Sequence, residues 1–468
     1  MDTKNLIIGA EYLIGEMGEI EINSPWDGEL IGKVASASRL QAEKSVEVAN
    51  EAFLSWRESS LSDRIEILQK AVISLRSDTG NLTDSLHREI GKFEADAKSE
   101  ISRSVDYLEL VIAGVKHWKG SVYAGDIDPK FPRNKKTGYY SRVSLGVILC
   151  VSPFNYPINL SITKIAPAIL AGNTVVLKPA TQGAYTAYAF YEHFMKAGLP
   201  KGVLNIVSGS SSEIGDALTT HPKVKLIAFT GSTKVGNHIK KISNGIPLLM
   251  ELGGKDTGIV TENADIDLAV SEVSKGAFSY AGQRCTAQKL VLVHASVAEH
   301  FTQKIVEAVR TLELNPMIDE ESANYVMELY NDAVSAGAVT LLAPNQNGNK
   351  LTQGVISNVN ANMRVFKEEQ FGPLLPIVIY ENEQQAIEMA NSSDFGHQAS
   401  VYSTNINQAF KIADKLEVGT VQINGKPDRG PDNFPFAGVK DSGQSMQGTI
   451  ESLELMTRGK LLVLNLTI

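Results

Sequence analysis

The run Gly146–Val151, GVILCV, followed by TVVLKP at 174–179, VLNIVSG at 203–209 and LIAFTG at 226–231, decides the fold. Each is an apolar segment of strand length, and helical stretches separate them, one around Leu160–Leu170 and another after Gly183. Strands that are apolar at nearly every position must be covered on both faces, as they are in a parallel sheet flanked by helices. The alternation from Gly146 to Val260 therefore predicts repeated βαβ units and an α/β fold.

Outward from this run, KLVLVHA, LLPIVIY and GTVQIN between Leu268 and Val421 predict a second α/β domain, with the boundary near Gly253 and Gly254. Upstream, Arg39 to about Glu109 reads as helices, with apolar positions three and four apart in AEKSVEVANEAFLSW and RIEILQKAVISLRS. Lys116–Lys136 is rich in Gly, Pro and Lys, and the apolar stretch Ser141–Val151 predicts strand structure entering the core. GKPDRGPDNFPFAGVKDSG, Gly425–Gly443, combines turn residues with aromatics and reads as an ordered functional loop. The terminal LLVLNLTI is β-prone and offers an edge that another subunit could pair with.

A chain of 468 residues with 43% hydrophobic and 21% charged residues is expected to fold into more than one compact unit. A net charge of −9 excludes a broad surface for nucleic acid, yet a few arginines can still hold a small phosphorylated ligand. The first residues lack the pattern of a signal peptide and no window is apolar enough to span a membrane, so a cytoplasmic protein is expected. Cys150 and Cys285 are the only cysteines, too few for a disulfide framework and not spaced as metal ligands; no metal site is expected.

Cys285, in SYAGQRCTAQK, follows a glycine and an arginine, so a loop could expose the thiol and the neighbouring cation could favour its thiolate. An inert buried cysteine fits the same residues, whereas Cys150 within GVILCV reads as core. Glu251 ends an apolar strand before two glycines, where a general base could stand, or a surface acid. FTGSTKVG, Phe229–Gly236, passes from a strand into a helix whose first N–H groups could hold a pyrophosphate. LKPAT places Lys178 at the end of another strand, within reach of a cofactor ribose or phosphate.

SPFNYP, LKPAT, FTGSTKVG, ELGGKD, GQRC, EEQFGP and the PF-G-K-SG run at 435–443, in this order over almost the whole chain, resemble the aldehyde dehydrogenase superfamily. Glu251 precedes Cys285 by 34 residues, close to the family's spacing of base and nucleophile. The resemblance implies a Rossmann-type cofactor domain of residues 1–120 and 146–252, a catalytic domain of 253–442, and a small β oligomerisation element of 121–145 and 443–468. Homodimers or homotetramers would follow, through a hairpin near Lys135–Leu145 and the terminal strand.

By the same resemblance Cys285 attacks an aldehyde, and Asn155 with the Cys285 backbone N–H holds the oxyanion. Hydride loss then leaves a thioester, which water activated by Glu251 hydrolyses to a carboxylate. Lys178 matches a ribose contact, Gly231 and Ser232 lie in the pyrophosphate turn, and Glu369 with Phe371 matches the pair that places the nicotinamide ribose. Thr181 stands where relatives strict for NAD carry a glutamate, so with Lys178 it would accept a 2′-phosphate and favour NADP, NAD being the fallback.

SPFNYPINL, SGSSSEIGD, GAFSYAGQRCTA and RGPDNFPF resemble the branch that oxidises glyceraldehyde 3-phosphate directly to 3-phosphoglycerate. Arg103, Tyr156, Arg284 and Arg429 match that branch's substrate-phosphate ligands. Each arginine also admits a structural ion pair. Other small polar or anionic aldehydes are the rival substrates (lactaldehyde, glyceraldehyde, sulfolactaldehyde, succinic semialdehyde), and a non-catalytic protein on the same fold is a remoter reading.

Overall fold

A computed structural model describes residues 2–125 and 136–465. Four helices, Arg39–Trp56, Leu61–Ser77, Thr79–Ile90 and Glu94–Gly114, fill the region expected to be helical. The first two start at serines whose side chains accept the N3 backbone N–H, Ser38 from Gln41 and Ser60 from Asp63, which satisfies donors left open at a helix start.

The five strands Val147–Val151, Thr174–Lys178, Leu204–Ile206, Val224–Thr230 and Leu248–Glu251 are parallel, and in space the third, second, first, fourth and fifth follow one another. This is the Rossmann-type order, with its switch point between the first and fourth strands. Side chains alternate between two cores. Ile148, Cys150, Val175 and Leu177 pack among the helices of residues 61–114 and 159–196, whereas Val147, Leu149 and Val176 face those of 39–56 and 211–242. Cys150 is thus a core residue.

The sheet is extended at both edges by antiparallel strands. Leu6–Ile8 and Glu11–Leu13 close one side, and Gly443–Gln444 pairs with Met250 and Glu251 on the other. Residues 443–456, expected in the β element, instead complete this sheet and its core, into which Leu453 and Met456 of the segment around helix Thr449–Leu455 are buried. A second sheet has six parallel strands, with Asp256–Val260 and Gln288–His294 at its centre, and one antiparallel edge strand, Val339–Leu342.

The apolar stretch Ser141–Val151 does not enter the core as one strand. Gly146, at φ +139°, turns the chain between Lys136–Ser144 and Val147–Val151, which belong to different sheets. Lys136–Ser144 lies between Ser121–Ala124 and Thr457–Asn465 in a three-stranded sheet. Lys135 of the expected hairpin and the last three residues of LLVLNLTI lie outside the described residues. Among the described residues no helix is long and apolar enough to cross a membrane, and no cluster of His, Cys, Asp and Glu could hold a metal ion.

Candidate active site

The loop bearing Cys285 is fixed from both sides. After the helix Ile266–Phe278, Tyr280 and Ala281 both adopt left-handed backbone angles (φ 52° and 51°), a strained region for residues with a Cβ. Tyr280 is anchored by its hydroxyl, which donates to the Ile90 carbonyl at 2.6 Å. Gln283 donates to the Pro316 carbonyl at 3.1 Å and accepts from the Ile318 amide at 2.8 Å. Asn155 Nδ2 donates to the Gln283 carbonyl at 2.9 Å, bringing this amide against the loop two residues before Cys285.

Cys285 is half-buried, and Lys289 Nζ donates to its carbonyl at 2.6 Å. Burial pushes the thiol up to about 11; Lys289 works against this, while Glu251, Asp256 and Glu369 add to it. The cation that favours the thiolate is therefore Lys289, which corrects the expectation that Arg284 would do so. Arg284 turns inward instead: its Nη2 donates to the Gly276 carbonyl at 2.9 Å, and its buried Nε has no partner among the described residues.

Glu251 ends its strand as expected, and two glycines let the two sheets meet there. A Cβ on Gly253 would lie 2.1 Å from Glu369 Oε2, and one on Gly254 would lie 2.9 Å from the Cys285 carbonyl oxygen. The carboxylate is buried and fully engaged. Oε2 receives Lys164 Nζ at 3.0 Å and the Thr230 hydroxyl at 2.7 Å, and Oε1 receives Arg429 Nη1 at 3.0 Å. Burial opposes its charge, but Arg429 and Lys164, helped by Thr230, outweigh burial and hold it down to about 2.

Three of the expected anion ligands lie close together. Arg103 Nη2 donates to the Arg429 carbonyl at 2.9 Å and to Asp432 Oδ1 at 2.8 Å. Arg429 stacks on Phe436, 4.8 Å from the ring centre, and donates to Gln447 Oε1 at 2.6 Å. Tyr156 packs edge-on against Tyr280, with Lys92 Nζ 3.3 Å from its ring centre. Burial pushes the Tyr156 phenol up to about 12, and the charge of Arg284 moderates the rise; the guanidinium of Arg284 itself is turned to the Gly276 carbonyl. The guanidinium groups of Arg103 and Arg429 are each paired with a carboxylate, which a phosphate would have to displace.

A cavity of about 420 Å³ lies where the first sheet reverses its strand order, between the helices Ser211–Thr219 and Thr233–Ile242. Lys178 lines it, and its amine makes no hydrogen bond or ion pair among the described residues; burial pushes this amine down to about 8. An unpaired, pocketed cation beside a helix N-terminus suits a dinucleotide phosphate, so these residues fit the cofactor that the family resemblance implies. Ser232 caps Thr233–Ile242, its oxygen accepting the Val235 amide at 3.4 Å, and Gly231 immediately precedes it. Thr181 is exposed and lines a separate cavity with Phe154 and Gln182, away from the wall that holds Lys178. Glu369 accepts the Gly254 amide at 2.9 Å and pairs with Lys289 at 3.1 Å, and the Phe371 ring meets Phe154 edge-on.

Sequence reasoning missed Lys164, Lys289 and Gln447. Lys164 carried a signal, being the one charged residue in the otherwise uncharged helix Asn159–Leu170, where a buried amine needs a carboxylate partner. Lys289 is the second residue of a strand, four residues after Cys285, and nothing local distinguishes it. Gln447 sits in GQSMQG and acts only through the folding of Gly425–Gly443 back onto Glu251.

A thiol on a fixed loop, a carboxylate at the facing strand end and a phosphate-ready cavity define a nucleotide-dependent dehydrogenase site. The aldehyde dehydrogenase family model matches residues 13–462, and the chain belongs to that family. It is 43% identical over 447 residues to the NADP-dependent glyceraldehyde-3-phosphate dehydrogenase of Pisum sativum, covering 93% of this chain and 89% of that protein. To the enzyme of the same name from Streptococcus equinus it is 41% identical, covering 99% and 98%. The crystal structure of NADP-dependent glyceraldehyde-3-phosphate dehydrogenase from Bacillus halodurans C-125 complexed with NADP superposes with a TM-score of 0.97 at 38% identity, covering all of both chains.

Proposed function

We propose that this enzyme oxidises glyceraldehyde 3-phosphate to 3-phosphoglycerate with NADP as acceptor. The observation that carries this reading is the contact of Arg103 with Arg429 and of Arg429 with Glu251, two of the four expected phosphate ligands at the proposed base. The names of the similar enzymes support the same substrate and cofactor.

Cys285 Sγ adds to the aldehyde carbon, while Asn155 Nδ2 and the Cys285 amide hold the developing oxyanion. Lys178 and the turn at Gly231 and Ser232 would hold the phosphates of NADP, and Glu369 with Phe371 its nicotinamide end; the cofactor would supply the hydride acceptor. The thioester left on Cys285 is cleaved by water, whose proton Glu251 takes once it is released from Arg429.

The three-stranded sheet supports a homodimer or homotetramer, since its outer strand Thr457–Asn465 leaves Leu461–Leu464 exposed. A free thiol nucleophile suits a reducing compartment such as the cytoplasm. A panel of aldehydes with NADP and NAD tests the reading. Glyceraldehyde 3-phosphate with NADP is expected to give the highest kcat/KM, and equal kcat/KM for glyceraldehyde and its 3-phosphate overturns it.

A further inference from the structure

A second cationic cavity lies apart from the active site and shares no lining residue with the cofactor cavity. Of about 660 Å³, it is enclosed by the turn joining the first two helices, by Ala171 at the end of Asn159–Leu170, and by the three-stranded sheet. That volume is in the range of sites for small organic ligands. Arg57, Arg64, Arg142, Arg458 and Lys460 line it, against a single carboxylate, Glu58, which is paired with Arg57 at 3.0 Å. In a chain of net charge −9, five cations facing one acid are not a by-product of composition.

Two of these cations are built in. Arg64 is buried and has no carboxylate partner among the described residues: Nε donates to Ser59 Oγ at 2.9 Å, and its terminal nitrogens donate to the carbonyls of Trp56, Arg57, Ser59 and Leu170 at 3.0 to 3.3 Å. Arg142 is held by the Thr457 hydroxyl at 2.7 Å and by the carbonyls of Thr457 and Glu454. Carbonyl dipoles fix the geometry of both guanidinium groups without cancelling their charge. The side chains of Arg458 and Lys460, on the outer strand just before the exposed Leu461–Leu464, are exposed and make no hydrogen bond or ion pair among the described residues. An independent sign of a missing acceptor is Trp118, which lines the cavity and whose buried Nε1–H has no partner among the described residues. Phe53 and Leu61 add apolar surface for a carbon skeleton.

We propose that this cavity is a second ligand site that binds a small phosphate ester, distinct from the substrate and cofactor sites. The phosphate oxygens meet the face presented by Arg142, Arg458 and Lys460, with the Trp118 N–H as a neutral donor, and Arg64 supplies fixed positive potential beneath them.

The test uses the NADP-saturated enzyme at constant ionic strength, titrated calorimetrically with fructose 1,6-bisphosphate and, separately, with inorganic pyrophosphate. Saturable binding of the bisphosphate is expected, weakened at least tenfold in Arg458→Gln/Lys460→Gln and unchanged in Arg103→Gln at the substrate cluster. The exposed double variant should keep the wild-type kcat, which establishes that it is folded. Trp118→Phe should weaken binding too and remove the ligand-induced change in tryptophan emission. Pyrophosphate binding with the same dependence on Arg458 and Lys460 supports the site. No saturable binding of either probe overturns the proposal, as does equal affinity in wild type and double variant, or loss of binding in Arg103→Gln alone; the last two would assign the ligand to the substrate site.

Discussion

Replacing Arg429 by Met tests how the general base is held in reserve. Glu251 sits at about 2 instead of 4.5, a difference of about 2.5 units, or ~3 kcal/mol in favour of the carboxylate at ~1.36 kcal/mol per unit. Arg429 is the foremost of the groups that lower it, and burial pushes the other way. Without Arg429, burial faces only Lys164 and Thr230, so Glu251 should climb to its ordinary value or above. A carboxylate depressed by folding stabilises the protein above its unfolded pKa, and that contribution fades as pH falls through the folded one. Wild-type thioester hydrolysis should therefore show no Glu251 limb above about pH 4. In Arg429→Met an acidic limb should appear near pH 5, and urea unfolding at pH 7 should show a loss of up to ~3 kcal/mol. The assay is the steady rate that follows the NADPH burst, with unphosphorylated glyceraldehyde so that loss of a phosphate ligand does not intrude. A profile that stays flat between about pH 4.5 and 7 would refute the reasoning.

Other consequences are checked more simply. Cys285→Ala should abolish NADPH formation yet leave NADP binding intact, and undiminished turnover would remove the thioester from the mechanism. Lys289→Met takes away the cation that moderates the thiol, so alkylation of Cys285 by iodoacetamide at pH 8 should slow several-fold, about tenfold per unit of further rise in pKa; an unchanged rate would assign that role elsewhere. Because Lys178 loses its proton near pH 8, NADP affinity should weaken between about pH 7 and 9, and Lys178→Met should bind weakly with no such pH dependence.

The parallel sheet was legible because its strands are short apolar runs whose periodicity is local. So was the end of the strand at Glu251, since two glycines after an apolar run mark a close approach of chains. What could not be read were pairings between distant segments. Lys164 and Arg429 are separated by most of the chain yet meet on one carboxylate, and Gly443–Gln444, in a stretch with no apolar run of its own, joins the first sheet. Ser141–Val151 misled for the opposite reason: its composition is continuous, and only the backbone of Gly146 divides it between two sheets. Arg284 had the right neighbour in sequence, but a strand start four residues later put Lys289 on the Cys285 carbonyl, where its charge acts on the thiol.

The pairing of Gly443 with Glu251 also sets an order of assembly. The strand that ends in the base stays an open edge until the chain has been made as far as residue 443, by which time the whole second sheet has been synthesised. Closing so long a loop is entropically unfavourable and slow, so the cofactor domain is the first to begin folding and among the last to finish. A nascent chain stalled within the second domain would carry Cys285 before Arg429 and Gly443 exist to seat the base, so its thiol could add to an aldehyde only reversibly, as a thiohemiacetal.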